Sequence, residues 1–310
     1  MRSTRLIPVL SILAMLGGLA LRATPAQATF PGTNGRIAFS TDNGDDPQIF
    51  TVNPDGSGET QLTFDDSGHS SAPDWSPDGT EIVFQGDATG NLEIYLMKAD
   101  GSGRSQLTNE PGFDHLNPRF SPDGTKLAFS RCPVPTCAIY VMNTDGSGLT
   151  RLTSAKWDAF DPEWSPDGTK IAFDSNKGGL ISAVWVMKAD GSNQHRLTAP
   201  ELEAFYPDWS PDGAHILFTD HCCLPHSNIW VMNGDGSGLK QLTHFPLKHS
   251  GQFGTYSPDG KKIVLASDRK YRIGQCCPND LFTMNANGTG LTRITTDQPA
   301  TLLSDWGTAP

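Results

Sequence analysis

Residues 73–108 read PDWSPDGTEIVFQGDATGNLEIYLMKADGSGRSQLT, and this stretch decides the fold. An aromatic residue is followed by Ser-Pro-Asp-Gly, two apolar segments, Asp-Gly-Ser-Gly and Leu-Thr, and near-copies of this unit recur along the chain. The aromatics that head the units are Trp75, Phe120, Trp164, Trp209, Tyr256 and, in a degraded last copy, Trp306. They are 44 to 50 residues apart. This period, with only strand and turn signals inside each unit, predicts an all-β, six-bladed β-propeller.

Each unit is expected to form one four-stranded blade. In the quoted stretch the strands are PDW, TEIVF, LEIYLM and RSQLT, and TEIVF alternates polar and apolar residues as a half-buried strand does. The SPDG segment supplies the turn between the first two strands, because proline presets one dihedral and glycine accepts positive φ. The DGSG segment does the same between the third and fourth strands.

The two ends of the chain complement each other. Residues 34–39, NGRIAF, match a second strand with no first strand before it, and residues 304–307, SDWG, match a first strand with nothing after it. The C-terminus is therefore expected to supply the innermost strand of the blade that the N-terminus begins. This pairing would close the ring and remove the open edges of an unfinished sheet.

The first 28 residues have the pattern of a secretory signal peptide. Arg2 and Arg5 form a basic start, residues 6–21 are apolar, and Ala26-Gln27-Ala28 fits a cleavage site. We expect residues 1–28 to be removed and residues 29–310 to form the propeller, in the periplasm or outside the cell. The alternative is an uncleaved membrane anchor. No later apolar stretch is long enough to span a bilayer, so no transmembrane segment is expected after cleavage.

The charge of the chain argues against nucleic acid as a partner. Removal of residues 1–28 takes away three arginines and no acid, which moves the formal net charge from −11 to −14. Such an acidic chain repels phosphate backbones, and no basic stripe offsets this. We expect a monomer that binds no nucleic acid.

The cysteines of an exported chain favour disulfides. The six are Cys132, Cys137, Cys222, Cys223, Cys276 and Cys277, all in loops between second and third strands. Cys132 and Cys137 are expected to close their own loop, and the two vicinal pairs to bond to each other across adjacent blades in a pairing that the sequence leaves open. A metal site is the alternative, because His221 and His226 flank one vicinal pair.

The connections of a four-stranded meander lie on two faces of the ring. The SPDG and DGSG turns form the turn face, and the loops between second and third strands, with the crossings between blades, form the loop face. Variable loops usually carry function, so the loop face is the candidate site. The candidate ligand-binding residues, all expected in crossings, are His69, His115, Asp158, Asp161, Tyr206 and His249. They suit a polar ligand such as a peptide end or a sugar.

These crossing residues have a plainer interpretation, as solvated loop positions. On that placement, replacing His115 and Asp161 with alanine is expected to change stability little.

A second set of polar residues stands directly before the repeated aromatics, in the strands nearest the axis. The set comprises Asp74, Arg119, Glu163, Asp208, Thr255 and Asp305. Four acids and one arginine predict a negative bore, with Arg119 paired to an acid and room for a cation or an ordered water. No other cofactor is predicted. The alternative is that these charges are satisfied between blades.

The repeat resembles that of TolB-type propellers. The resemblance is carried by PDWSPDGTEIVF, PRFSPDGTKLAF, PEWSPDGTKIAF and PDWSPDGAHILF, and by the looser YSPDGKKIVL. Because TolB binds the lipoprotein Pal through its propeller, the resemblance implies a protein partner in the cell envelope. TolB-type chains also carry an α/β domain, which is not recognised here, and related repeats occur in propellers attached to prolyl-oligopeptidase-type enzymes.

Two functions follow as hypotheses. The first is a non-enzymatic module that binds a protein or peptide in the cell envelope or extracellular space. The second is a metal-assisted polysaccharide lyase or hydrolase that uses the channel mouth, with His69, His115 and His249 as candidate ligands. No catalytic residue is assigned, because no GxSxG, HExxH or P-loop motif is present.

Overall fold

Six small antiparallel sheets account for the strands of this protein. The computed structural model describes residues 32–42, 46–64, 68–133, 136–179, 181–199, 201–221, 226–246, 249–268, 280–296 and 301–309. Within these ranges 24 strands form six four-stranded sheets. No helix in them could cross a membrane. The expected signal peptide and the four vicinal cysteines lie outside the described residues, so those predictions stay open.

The strands follow one another blade by blade. Blade 1 contains β1 (Asn34–Asp42), β2 (Pro47–Val52) and β3 (Thr60–Gln61). Blade 2 contains β4 (Ser70–Trp75), β5 (Glu81–Gly86), β6 (Glu93–Lys98) and β7 (Ser105–Gln106). Blade 3 contains β8 (Phe113–Phe120), β9 (Lys126–Pro133), β10 (Ala138–Asn143) and β11 (Thr150–Arg151). Blade 4 contains β12 (Ala159–Trp164), β13 (Lys170–Ser175), β14 (Ala183–Lys188) and β15 (His195–Arg196).

The last two blades and the closing strand complete the order. Blade 5 contains β16 (Ala204–Trp209), β17 (His215–Asp220), β18 (Ile229–Asn233) and β19 (Lys240–Gln241). Blade 6 contains β20 (Gly251–Tyr256), β21 (Lys262–Ser267), β22 (Asp280–Asn285) and β23 (Thr292–Arg293). The final strand, β24 (Thr301–Thr308), belongs to blade 1.

The ring closes by pairing of the two ends of the chain, which confirms the prediction. Strand β24 runs antiparallel to β1, with Trp306 opposite Ile37 and Ser304 opposite Phe39. The sheet order of blade 1 is therefore β24-β1-β2-β3, and the C-terminal strand is innermost.

The first strands of blades 2 to 5 are longer than the three residues expected from PDW. Each contains an X-Pro step at which the residue before proline has positive φ, for example 51° at Asp161 and 53° at Tyr206, and the pairing register shifts there. Proline is tolerated because the innermost strand of a blade is a sheet edge, where a missing N–H leaves no ladder bond unmade.

Because of this bulge, the predicted positions of three candidate residues are wrong. His115, Asp161 and Tyr206 lie in β8, β12 and β16 and not in the crossings between blades. The prediction failed because the proline was taken as the start of the strand, whereas the strand continues upstream of it through the bulge.

Each repeated aromatic fills the space between two neighbouring blades. Trp164 of blade 4 is buried against Ile139 of blade 3 and Phe173 of its own blade. The turn that follows such an aromatic is fixed locally: Ser76 Oγ donates to Asp78 Oδ1 over 2.7 Å, and Gly79 takes a φ of 69°. The repeat therefore encodes both the packing between blades and the turn that positions it.

The loop between β9 and β10 is closed covalently. A disulfide joins Cys132 to Cys137, as the sequence predicts.

Replacing Trp164 with alanine tests the packing between blades. We expect the free energy of unfolding to fall by about 3–5 kcal/mol, because the buried ring leaves a cavity that both blades line. The measurement is equilibrium unfolding in urea. Leu149→Ala is the control, since that side chain is 48% exposed and its loss is expected to cost less than about 0.5 kcal/mol. Equal losses in the two variants would contradict the account.

Candidate functional site at the axis of the ring

The first strands of blades 3 to 6, together with β24 of blade 1, line a small cavity at the axis, which we call the axial pocket. Its volume is about 30 Å³. Each first strand runs from the loop face to the turn face, so the residues that line the pocket form two layers. The layer nearer the loop face contains Asp161, Tyr206, Phe253 and Leu303. The layer nearer the turn face contains Arg119, Glu163, Asp208, Thr255 and Asp305.

Three of the acids that directly precede the repeated aromatics form hydrogen bonds across the boundaries between blades. In each case a carboxylate oxygen accepts a hydrogen bond from the backbone N–H of a neighbouring blade's aromatic. The bonds run from Phe120 to Asp74 (2.7 Å), from Tyr256 to Asp208 (2.9 Å) and from Trp75 to Asp305 (2.9 Å). These charges gather at the axis, as predicted, and they also tie the blades together, as the alternative held.

Arg119 is the single cation of the described axial set. Its Nε lies 3.0 Å from Glu163 Oε2 and 3.9 Å from Asp74 Oδ1. The pairing of Arg119 with a neighbouring acid is therefore observed. Although burial opposes its charge, the carboxylates of Asp74 and Glu163 raise the pKa of Arg119.

One arginine does not balance the acids around it. Burial, together with the nearby charge of Asp305, raises the pKa of Asp74 well above its usual range. Burial likewise raises the pKa of Glu163 and of Asp208 well above the usual values. Each carboxyl is thus easier to protonate than it would be in water, and a cation brought to the pocket would oppose that effect.

The upper layer, nearer the loop face, has an acidic side built on a pair of carboxyls. Asp161 is hydrogen-bonded to Asp174, and its Oδ1 accepts from Asn117 Nδ2. A hydrogen bond between two carboxyls requires a proton on one of them. Burial and the neighbouring charge of Asp161 accordingly raise the pKa of Asp174 well above its usual range.

The other side of the upper layer is apolar. The rings of Tyr206 and Phe253 meet edge to face with their centroids 4.6 Å apart, and Leu303 lies beside them. The bulge that gives Tyr206 and Phe253 positive φ is what places both side chains on the axial pocket. The pocket therefore presents aromatic and acidic surface side by side.

Three other candidate residues lie just before first strands, on the loop face. His69 Nε2 is 2.7 Å from Asp46 Oδ1, and His249 Nδ1 is 3.6 Å from Asp268 Oδ1. Asp158 Oδ1 accepts the backbone N–H of Cys137 over 3.0 Å. They surround the pocket at a distance and none of them lines it.

His115 is enclosed in blade 3. Its side chain is 1% exposed, and Nδ1 lies 3.0 Å from Glu93 Oε2. Burial lowers the pKa of His115, although Glu93 and Glu110 oppose the shift. The prediction that alanine at His115 or Asp161 changes stability little assumed that both residues lie in loops. Both lie in strands, which removes the basis for that prediction.

The structure does not assemble the histidines proposed for a metal. His69, His115 and His249 belong to blades 2, 3 and 6. Among the residues that the structure describes, no three His, Cys, Asp or Glu side chains are arranged to hold a metal ion.

A larger cavity lies on the turn face, where sequence reasoning placed no site. This groove between blades 5 and 6, which we call the blade 5/6 groove, has a volume of about 880 Å³. The signal for it was present in the repeat: His215 stands where four of the five equivalent residues are Arg or Lys, and Tyr256 stands where four of the six aromatics are Trp.

Comparison with known proteins assigns the family. The TolB β-propeller domain matches residues 65–130 and 114–250, which together make up more than half of the chain. The chain belongs to the TolB β-propeller domain family. A search of curated proteins finds no match.

Solved structures of the TolB type share this fold. TolB from Acinetobacter baumannii is 21% identical with a TM-score of 0.73, and the match covers 90% of this chain and 67% of that one. The putative TolB from Agrobacterium tumefaciens is 23% identical with a TM-score of 0.66, over 89% of this chain and 92% of that one. Oligogalacturonate lyase from Vibrio parahaemolyticus is 14% identical with a TM-score of 0.57, over 86% and 77% of the two chains. At these identities the likeness shows the fold alone.

The raised carboxyl pKa values predict a pH dependence that Asp208→Asn would expose. Because the pKa of Asp208 is raised in the fold, its contribution to stability is fully present below the pKa of an unfolded aspartate and is lost as pH rises through the folded-state pKa. Asparagine can still accept the N–H of Tyr256 but cannot ionise. Above about pH 4, and until the pH passes the folded-state pKa of Asp208, the variant should therefore gain stability relative to wild type, by about 1.4 kcal/mol per unit of pKa elevation.

Urea unfolding across this range measures the difference. Asp235→Asn is the control, because hydrogen bonds from Ser237 lower the pKa of that exposed carboxyl and its contribution is complete above about pH 4. The difference in unfolding free energy between Asp235→Asn and wild type should stay constant over the pH range in which the difference for Asp208→Asn grows. If the difference from wild type is independent of pH for both variants, ionisation of Asp208 does not destabilise the fold and the account is contradicted.

Proposed function

We propose that this protein is an exported, non-enzymatic binding module of the cell envelope or extracellular space, and that it holds a protein or peptide partner at the loop-face side of the axial pocket. The observation that carries the proposal is the upper layer of the pocket. There the aromatic pair Tyr206 and Phe253 lies beside the carboxyl of Asp161.

The size of the pocket favours one inserted side chain over an enclosed small molecule. Small-molecule sites commonly have volumes of about 300–1,000 Å³. A cavity of about 30 Å³ has room for an ordered water or the tip of one side chain. A partner segment would therefore lie across the mouth, on the loop face, and extend one group towards the axis.

The lining indicates the chemistry of that group. Four axial acids, Asp74, Glu163, Asp208 and Asp305, are gathered near Arg119, and burial is the main cause of their raised pKa values, with like charges adding to the rise for Asp74, Glu163 and Asp208. A lysine, an arginine or an amino terminus would relieve this imbalance, and neighbouring apolar side chains would contact Tyr206, Phe253 and Leu303. We infer a partner segment that carries a positive group next to apolar residues.

The proposed location rests on three observations. The N-terminal residues have the pattern of a signal peptide, Cys132 and Cys137 form a disulfide, and the chain belongs to the TolB β-propeller domain family. Disulfides persist in oxidising compartments outside the cytosol. We therefore propose a monomer in the periplasm or the external medium, which agrees with all three observations.

The alternative of a metal-assisted polysaccharide lyase or hydrolase gains no specific support. It required His69, His115 and His249 to act together, and His115 is enclosed against Glu93. The likeness to oligogalacturonate lyase concerns the fold.

Capture of partners from envelope and secreted fractions tests the proposal. Immobilised protein comprising residues 29–310 should retain a specific protein. Tyr206→Ala and Asp161→Asn should each reduce the recovered amount about tenfold, which corresponds to a hot-spot loss of about 1.4 kcal/mol. Circular dichroism confirms that each variant is folded.

Leu149→Ser is the matched control, because it removes an exposed apolar side chain from the turn face. It should retain the partner fully. Loss of the partner in the control but not in the pocket variants would place binding on the other face. Stoichiometric metal with no retained protein would favour the enzyme.

A further inference from the structure

The blade 5/6 groove is a built cavity with no role in the proposed partner binding. Its floor is apolar and contains Val231, Met232, Leu242 and Tyr256. Its rim carries charged and polar groups, among them Asp212, His215, Lys240 and Asp259. It lies among the SPDG and DGSG turns, and so on the face opposite to the upper layer of the axial pocket.

Two departures from the repeat open the groove. Between blades 4 and 5 the ammonium of Lys170 lies over the ring of Trp209, 5.9 Å from its centroid. At the same places between blades 5 and 6 stand His215, which is shorter, and Tyr256, which is smaller. The volume that a lysine and an indole fill at one boundary is thus left free at the next.

The N-terminal end of the described chain lies in this groove. Gly32 is one of the residues that line it. Two residues later, Asn34 Oδ1 accepts the backbone N–H of Asp259 over 3.2 Å, which fixes the chain over the SPDG turn of blade 6. The residues that precede Gly32 therefore start from within the groove.

Chain length limits where those residues can go. An extended chain advances at most about 3.6 Å per residue, so the Cα of Phe30 is within about 7 Å of that of Gly32 and the Cα of Thr29 within about 11 Å. Pro31 disfavours helical backbone at Phe30 and so favours an extended approach. With cleavage after Ala28, the processed chain begins Thr-Phe-Pro and has one large apolar side chain to place.

We propose that the blade 5/6 groove is the binding site for the protein's own processed N-terminus, residues 29–31, with the ring of Phe30 on the floor formed by Met232, Leu242 and Tyr256. The new α-ammonium group then lies within reach of the carboxylates on the rim. Hydrogen bonds from the Ser210 hydroxyl and the Ala214 backbone N–H lower the pKa of Asp212, so this carboxylate is charged at neutral pH and attracts the terminus.

This contact would attach the N-terminal segment to the ring at a second place, near the pairing of β24 with β1. The N-terminal segment of blade 1 passes over blade 6 and is held against blade 5, so three blades are joined on the turn face. The axial pocket on the other face stays open to a partner. The inference rests on the export that the proposed function includes, through cleavage after Ala28, and not on partner binding at the axial pocket.

The methionines of the processed chain provide a direct readout. Its five methionines, Met97, Met142, Met187, Met232 and Met284, occupy equivalent places in the third strands of blades 2 to 6. Of these, Met232 alone is among the residues that line the groove. In protein that starts at Thr29 and carries ¹³C-methyl methionine, Phe30→Ala should shift the Met232 resonance, because the ring current of Phe30 is lost. The resonances of Met97, Met142 and Met187 should stay in place and report an intact fold.

Phe64→Ala is the matched control, since it removes a ring that is 73% exposed before blade 2. It should leave Met232 unmoved, and Phe30→Trp should shift Met232 in its own way because a larger ring is retained. An unchanged Met232 resonance in Phe30→Ala would overturn the proposal. So would equal shifts of all five methyl groups, which would indicate a general effect on the fold.

Discussion

The pairing of β24 with β1 is the contact on which the rest of the structure depends. It places Trp306 between blades 6 and 1, and it brings Asp305 to the axis, where that carboxylate accepts the N–H of Trp75 in blade 2. Every blade shares its core with its neighbours, so an open ring would expose apolar surface on both sides of the gap. The axial pocket also depends on closure, because β24 supplies Leu303, Ser304 and Asp305 to a wall that it shares with the first strands of blades 3 to 6.

The closure of the ring also brings carboxyl groups together at the buried axis. Asp74, Asp208 and Asp305 accept backbone N–H groups across blade boundaries, which satisfies polar groups that would otherwise be buried without partners. The result is a surplus of carboxyls around Arg119 and a rise in their pKa values. The carboxylates whose hydrogen bonds join the blades thus also create an acidic pocket suited to a positively charged group.

The repeat predicted much of this arrangement and missed parts of it for physical reasons. Its period and the unmatched ends indicated six blades and their closure, and the residues before the aromatics indicated the axial charges. The positions of His115, Asp161 and Tyr206 were wrong because the bulge before proline extends the strand upstream. The carboxyl pair of Asp161 and Asp174 depends on the bulge between the first two strands of blade 4, and the blade 5/6 groove depends on how two blades meet. Spacing along the chain reveals neither.

Unfolding of a chain that ends at residue 300 would test the central claim, that β24 completes a ring whose blades depend on one another. The account predicts that removing β24 abolishes the single cooperative transition in urea, or lowers both its midpoint and its slope, because the pairing with β1 and the core around Trp306 are lost. A transition with the midpoint and slope of the full-length protein would contradict it, and would show that the blades are stable without closure.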